Sequence, residues 1–131
     1  MPPTILLAED DPLLTATCQQ YLTLCGYHVL ISLSGPDCMS ILRHTTPVVI
    51  VVSLELPWEA AGNLMESLRE ISRSRRDPSV ILTGRTSDAD VRHLHQEPCV
   101  FSYLRKPFEL GRLLDGIRSI ESDCSSSRGL S

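Results

Sequence analysis

Five short apolar runs divide this chain, and each ends abruptly at polar or charged residues. Each is about as long as a typical strand and is apolar throughout, which is characteristic of strands buried on both faces of a parallel sheet. The sequence therefore predicts five parallel strands, at residues 4–8, 28–33, 48–52, 79–83 and 100–104.

The segments between these runs have apolar residues at helical spacing, which predicts helices that alternate with the strands. The first helix starts at Pro12 with Asp11 as its cap and stops at Gly26. The others are expected to open near residues 34–36, to cover about 62–72 and 87–96, and to begin at about 107. Ser87 is the expected cap of the fourth helix. Helices on both faces of a parallel sheet then follow.

Length and charge limit the classes of function. With 131 residues and a net charge of −4, the chain fits one domain and has no basic surface for nucleic acid or an anionic membrane. We expect this domain to cover residues 1–121, followed by a flexible serine-rich tail at 122–131. No apolar run is long enough to span a membrane and no signal peptide is evident, so a cytoplasmic location is expected. The five scattered cysteines are expected to be reduced and mostly buried.

Polar residues stand at the carboxyl ends of four of the predicted strands. They are Glu9 and Asp10, then Ser53, Thr83 and Lys106. A doubly wound sheet places its ligands beyond the carboxyl ends of its strands, so one site can gather all of them. Adjacent carboxylates repel each other unless a cation lies between them, and their oxygens suit Mg²⁺. Lys106 is the only lysine beside eleven arginines, which indicates a site that needs a compact ammonium group.

These residues carry a family resemblance. ILLAEDDP, GY at 26–27, SLELP, ILTGR and YLRKPFELGRLL, in this order and spacing, make residues 4–120 similar to a response regulator receiver domain of two-component signalling. The resemblance implies a flavodoxin-like (CheY-like), doubly wound sheet of order 2-1-3-4-5 with five helices. It also implies a cis Lys106–Pro107 peptide, a non-enzymatic role in phosphorelay signalling, and a histidine kinase, phosphotransfer protein or downstream signalling protein as partner.

The same resemblance assigns roles to the residues at the strand ends. Glu9 and Asp10 match the acids that bind Mg²⁺, Thr83 matches the switch hydroxyl, and Lys106 matches the lysine that pairs with phosphate. Tyr103 matches the aromatic switch residue. A homodimer through the fourth helix, fifth strand and fifth helix is common in such domains.

Ser53 stands where this family has its phosphoryl-accepting aspartate. A serine hydroxyl is a weak nucleophile without a nearby base, and no histidine belongs to the strand-end set. We therefore expect a pseudo-receiver that acts by protein contact, with weakened Mg²⁺ binding. Glu55, two residues further on, is expected to supply a third metal-binding carboxylate or to be exposed to solvent. The alternative is an ordinary phosphoacceptor in which Ser53 is a variant or engineered residue.

Other interpretations are weaker. A small hydrolase on this fold needs an activated nucleophile or a glycine-rich phosphate loop, and the turn after the first strand (EDDP) has neither. His93 and His95 diverge on a helix rather than chelate a metal. Trp58 is expected either to line the pocket or to pack down as a loop aromatic, in a loop about one residue longer than usual. The chain can also be one module of a larger regulator.

Overall fold

The computed structural model describes residues 2–58, 63–74 and 78–130, except for the side chains of 124–130. Five strands form one sheet: β1 (Thr4–Ala8), β2 (His28–Ser32), β3 (Val49–Ser53), β4 (Ser79–Gly84) and β5 (Val100–Arg105). The four α-helices are α1 (Pro12–Leu24), α2 (Gly35–Leu42), α3 (Leu64–Ser72) and α4 (Leu110–Leu130), and a 3₁₀ helix covers Asp88–Gln96. The longer loop expected at 58–62 lies outside the described residues except for Trp58. The charged turn at 73–77 lies outside them except for residues 73 and 74.

All strand pairs are parallel and the order is β2-β1-β3-β4-β5, as predicted. β3 is wholly buried, and β1 and β4 are buried except at their first residues, because helices cover both faces of the sheet. One core cluster lies on the side of α2, α3 and the 3₁₀ helix, and includes Leu6, Ile50 and Leu82. The other lies on the side of α1 and α4, and includes Leu7, Val51 and Ile81. Alternate residues of each strand thus feed opposite layers.

Local signals explain most helix ends. Asp11 accepts hydrogen bonds from the backbone N–H groups of Leu13 and Leu14, and so caps α1. Gly26, with φ +99°, adopts the left-handed conformation just after this helix. Ser34 and Asn63 cap α2 and α3 in the same way as Asp11 caps α1. No helix among the described residues is both long and apolar enough to cross a membrane.

Several expected element boundaries and one expected element type were wrong. β2 ends at Ser32, β3 covers Val49–Ser53, and β4 and β5 extend to Gly84 and Arg105. The last helix begins at Leu110 rather than near Pro107, and the cis Lys106–Pro107 peptide lies between β5 and this helix. The fourth helix is a 3₁₀ helix, and the Ser87 hydroxyl bonds to the Asp90 carboxylate rather than capping a backbone N–H. α4 continues through residues 122–130, where a flexible serine-rich tail was expected. The flexibility of this segment stays a prediction.

Candidate functional site

The carboxyl ends of β1, β3, β4 and β5 meet at one edge of the sheet. Ser53 and Thr83 are direct partners in the register of β3 and β4. Glu9 follows β1, and its backbone N–H donates to the Ser32 carbonyl at the end of β2. Lys106 follows β5, and its backbone N–H donates to the Gly84 carbonyl. The sheet therefore brings Glu9, Ser53, Thr83 and Lys106 to the same edge.

Ser53 is fully buried, and its hydroxyl oxygen accepts two hydrogen bonds. The Lys106 ammonium donates to Ser53 Oγ at 3.0 Å, and the backbone N–H of Glu55 donates to it at 3.2 Å. A hydroxyl oxygen has two lone pairs, so both are engaged. The neighbouring ammonium is a proton donor and cannot serve as the base that activates a serine.

Lys106 is the centre of the cluster. Its Nζ lies 2.7 Å from Glu9 Oε1 and 3.1 Å from Glu55 Oε1, and its side chain is only 7% exposed. Together with Ser53 Oγ, these atoms give each of the three ammonium protons an acceptor. Burial lowers the pKa of Lys106, but the hydrogen bonds and charges of Glu9 and Glu55 outweigh it and raise that pKa above its ordinary value.

Both carboxylates beside Lys106 have their second oxygen engaged as well. Glu9 is 2% exposed, and its Oε2 accepts from the backbone N–H groups of Asp10 and Asp11, each at 3.0 Å. Oε2 of Glu55 accepts from the backbone N–H of Arg85 at 3.3 Å. The Asp10 side chain is exposed, and it is the backbone of this residue that contacts Glu9.

Thr83 and Tyr103 lie to one side of this cluster. Thr83 is buried, and its hydroxyl points toward the Val52 carbonyl at a long 3.5 Å. Tyr103 is half-buried, and its hydroxyl donates to the Thr86 carbonyl at 2.5 Å. Burial, followed by the charges of Glu55 and Asp88, raises the pKa of Tyr103. The two residues matched to the switch are thus close to the site but are not hydrogen-bonded to Ser53.

Sequence reasoning missed the contacts that hold the loop after β3. The indole N–H of Trp58 donates to the Ser53 carbonyl at 3.3 Å, and Trp58 is 6% exposed. A Cβ at Gly35 would lie 2.6 Å from the Trp58 ring, so only glycine admits this contact. A Cβ at Gly84 would lie 3.0 Å from Glu55 Oε2. Glycines next to strand ends are the signal for such close approaches.

The strand order and the polar residues at one sheet edge define a flavodoxin-like α/β domain whose site lies at the topological switch point. A family model described as the response regulator receiver domain matches residues 5–118. The chain belongs to this family. Receiver domains are generally signalling modules rather than enzymes, generally bind Mg²⁺ at the phosphorylation site, and interact with histidine kinases or phosphotransfer proteins and with downstream effectors.

Individual relatives agree with this assignment. The transcriptional regulatory protein AfsQ1 of Streptomyces coelicolor is 34% identical over 90% of this chain and 51% of its own length. The regulatory protein TorR of the TorCAD operon in Escherichia coli is 31% identical over 92% of this chain and 50% of its own length. The chain thus spans about half the length of these curated relatives. A signal receiver domain from Pseudomonas fluorescens has the same fold, with a TM-score of 0.84 at 20% identity over 98% of this chain and 93% of its own.

The side chains at the site do not fit Mg²⁺ in the arrangement they adopt. A magnesium site needs carboxylate oxygens that are free to take an octahedral ion. Here the four carboxylate oxygens of Glu9 and Glu55 already accept hydrogen bonds, and the Lys106 ammonium lies between the two groups. Among the described residues, no three His, Cys, Asp or Glu side chains are grouped to hold a metal ion.

Proposed function

We propose that this chain is a pseudo-receiver, which transmits a signal by protein contact and does not take up a phosphoryl group. The observation that carries this proposal is the state of Ser53. Its hydroxyl is wholly buried, and both lone pairs accept hydrogen bonds, one of them from the Lys106 ammonium. In-line attack on a phosphodonor needs a free and preferably charged oxygen, which an aspartate supplies and this serine does not.

Weakened Mg²⁺ binding is part of the same proposal. An aspartate at position 53 would add one negative charge beside the metal. Its absence removes about 4 kcal/mol of bare attraction per unit of metal charge at 4 Å and an effective dielectric of 20, before desolvation offsets much of it. Glu9, Asp10 and Glu55 remain the candidate ligands. The Glu55 carboxylate lies at the site, where Lys106 is its nearest charged partner.

The proposed partners are a histidine kinase or phosphotransfer protein and a downstream signalling protein, met in the cytoplasm. The contact surface is the 3₁₀ helix, β5 and α4. Phe101 lies on this proposed surface, on the edge strand β5, and is 40% exposed. The same face is the proposed surface for a homodimer. Sedimentation of the native chain and of Phe101→Ser tests the dimer, and an unchanged association constant in the variant would exclude this face.

Phosphoryl uptake is the direct test of the proposal. The native chain, Ser53→Asp and Ser53→Ala are incubated with acetyl phosphate and Mg²⁺, and their intact masses are measured. We expect no adduct on the native chain or on Ser53→Ala. Uptake by Ser53→Asp that depends on Mg²⁺ would show that the remaining site residues are still functional. A serine phosphoester on the native chain would contradict the proposal and favour an ordinary phosphoacceptor.

A further inference from the structure

The polar atoms around Lys106 form a closed set. The ammonium has three protons and three acceptors, namely Glu9 Oε1 at 2.7 Å, Ser53 Oγ at 3.0 Å and Glu55 Oε1 at 3.1 Å. The remaining carboxylate oxygens of Glu9 and Glu55 accept from backbone N–H groups. Glu9, Ser53 and the Lys106 side chain are each less than a tenth exposed, whereas the Glu55 side chain is 35% exposed and forms the solvent side of the cluster.

We propose that the Lys106 ammonium is the resident cation of this site and takes the place of Mg²⁺, so that the native chain is a metal-independent domain. This inference rests on the proposed function, since both depend on Ser53. It goes further, because it says that the Glu9 and Glu55 carboxylates are already paired with a cation rather than waiting for a metal.

The placement of the charges supports this assignment. The one ammonium contacts both carboxylates, and Asp10, the third candidate ligand, is exposed to solvent. A divalent ion between Glu9 and Glu55 would have to displace the ammonium from both, and would be repelled by it at close range. Ser53 offers no charge to offset that repulsion, whereas its hydroxyl is a good acceptor for the ammonium. Serine thus stabilises the lysine-centred arrangement and disfavours the metal-centred one.

The position of Glu55 supports it independently. Its carboxylate approaches Lys106 across the end of β4, and its second oxygen is held by the Arg85 backbone N–H. Gly84 leaves room for this approach, since a Cβ there would lie 3.0 Å from Glu55 Oε2 and 2.9 Å from the Leu54 side chain. The second carboxylate is thus held beside the ammonium by the Arg85 backbone N–H.

The test is to remove the ammonium and ask whether a metal replaces it. Lys106→Met keeps most of the side-chain volume and removes the charge. Mn²⁺ binding is followed by water proton relaxation, and the effect of Mg²⁺ is followed by the thermal midpoint of unfolding. We expect no saturable Mn²⁺ binding by the native chain. We expect one-site Mn²⁺ binding by Lys106→Met that is at least about tenfold tighter than the weakest binding the measurement would detect in the native chain. We also expect Mg²⁺ to raise the thermal midpoint of unfolding in this variant alone.

Three further variants test whether the gain in metal affinity is specific to the loss of the Lys106 charge. Arg105→Met removes a neighbouring exposed cation and should behave as the native chain does. Lys106→Met combined with Glu55→Gln should lose most of the Mn²⁺ affinity gained by the single change. Lys106→Gln, which keeps a polar head without a charge, repeats the measurement if Lys106→Met does not fold.

Two results would overturn the inference. One is saturable, one-site Mn²⁺ or Mg²⁺ binding by the native chain, which can be measured whether or not any variant folds. The other is a folded Lys106→Met or Lys106→Gln chain with no gain in metal affinity. Neither measurement involves a phosphodonor. Metal binding without phosphoryl uptake would therefore remove this inference and leave the pseudo-receiver proposal in place.

Discussion

Two neighbouring parts of the site differ in how firmly their polar groups are held. Around Ser53 and Lys106, the side chains are buried and the polar atoms pair with one another. Around Tyr103, next to the 3₁₀ helix, the hydroxyl makes a single bond to the exposed Thr86 backbone. Buried ionic groups tolerate little change because an unpaired charge is costly, whereas exposed ones contribute little. The centre of the site is thus the more rigid part, and the edge around Tyr103 is the more adaptable part.

The difference bears on the proposal that Ser53 stands at the phosphoacceptor position. At the centre, Ser53 is integrated into a network in which its hydroxyl accepts two hydrogen bonds. At the edge lie Thr83 and Tyr103, the residues matched to a switch, and under the proposed function no phosphoryl group would form on Ser53 for Thr83 to contact. Substitutions in the two parts of the site test this contrast.

Lys106→Met should be the most destabilising of these changes. It leaves the buried Glu9 carboxylate without its cation, and breaking one partner of a buried pair typically costs about 3–5 kcal/mol. Denaturant unfolding in the absence of divalent metal measures the loss. Arg105→Met is the matched control, since Arg105 is adjacent and exposed, and its change should stay within about 0.5 kcal/mol. Equal losses in the two variants would remove the distinction between a rigid centre and an adaptable edge.

Gly35→Ala should cost about 1–3 kcal/mol, because the added methyl group overpacks the contact between α2 and the loop that follows β3. The new Cβ would lie 2.6 Å from the Trp58 ring and 2.9 Å from its Cα. Gly111→Ala is the control, since a Cβ at Gly111 has no neighbour within 4 Å, and alanine favours a helix by up to about 1 kcal/mol. Thermal unfolding and Trp58 fluorescence measure both. A neutral Gly35→Ala would show that Trp58 does not restrain the site.

How far the sequence predicts the structure differs between the same two regions. The strands and the meeting of Glu9, Ser53 and Lys106 were predictable, because continuous apolar runs and the polar residues that end them are strong local signals. The strand order was predicted from the family resemblance alone. The 3₁₀ helix was not. Its two buried residues, Val91 and Leu94, are three apart, a spacing that suits both an α-helix and a 3₁₀ helix.

The bonds of individual polar atoms at the centre were also beyond prediction. Spacing indicated that Glu55 could reach the site, but not that Lys106 would pair with it and with Ser53. Of the two expectations for Trp58, the packed loop aromatic is confirmed, and the partner that makes it possible, Gly35, had been assigned only to a helix start. Such contacts depend on tertiary distances that no local pattern encodes.

Tyr27 is a buried residue far from the site. Removal of its hydroxyl should have an intermediate effect on the free energy of unfolding. It is 7% exposed and its hydroxyl donates to the Glu121 carboxylate. Burial, then the hydrogen bond and charge of Glu121, raise the pKa of Tyr27 to about 12, while Arg118 opposes this. Because the folded pKa lies above the unfolded value of 10, the stabilisation is complete below pH 10 and is lost as the pH rises through about 12.

Tyr27→Phe should therefore cost about 1–2 kcal/mol at neutral pH and less as the pH approaches the folded pKa, because a hydrogen bond to a charged group is lost. The difference in unfolding free energy between native and variant chains is measured from neutral to alkaline pH. It isolates the titration of Tyr27, because Lys106 and the cysteines titrate in both chains and their contributions cancel. A difference that stays constant over this range would show that the loss comes from packing rather than from the hydroxyl.

Tyr103→Phe makes the same chemical change at the exposed edge, and there we expect a loss below about 1 kcal/mol. The hydroxyl donates to the exposed Thr86 carbonyl, which water can satisfy after the substitution. Equilibrium unfolding of Tyr103→Phe beside Tyr27→Phe compares the two environments with the chemistry held constant. If Tyr103→Phe costs as much as Tyr27→Phe, the edge is as firmly held as the buried groups, and a contact surface that adapts to partners there would need another explanation.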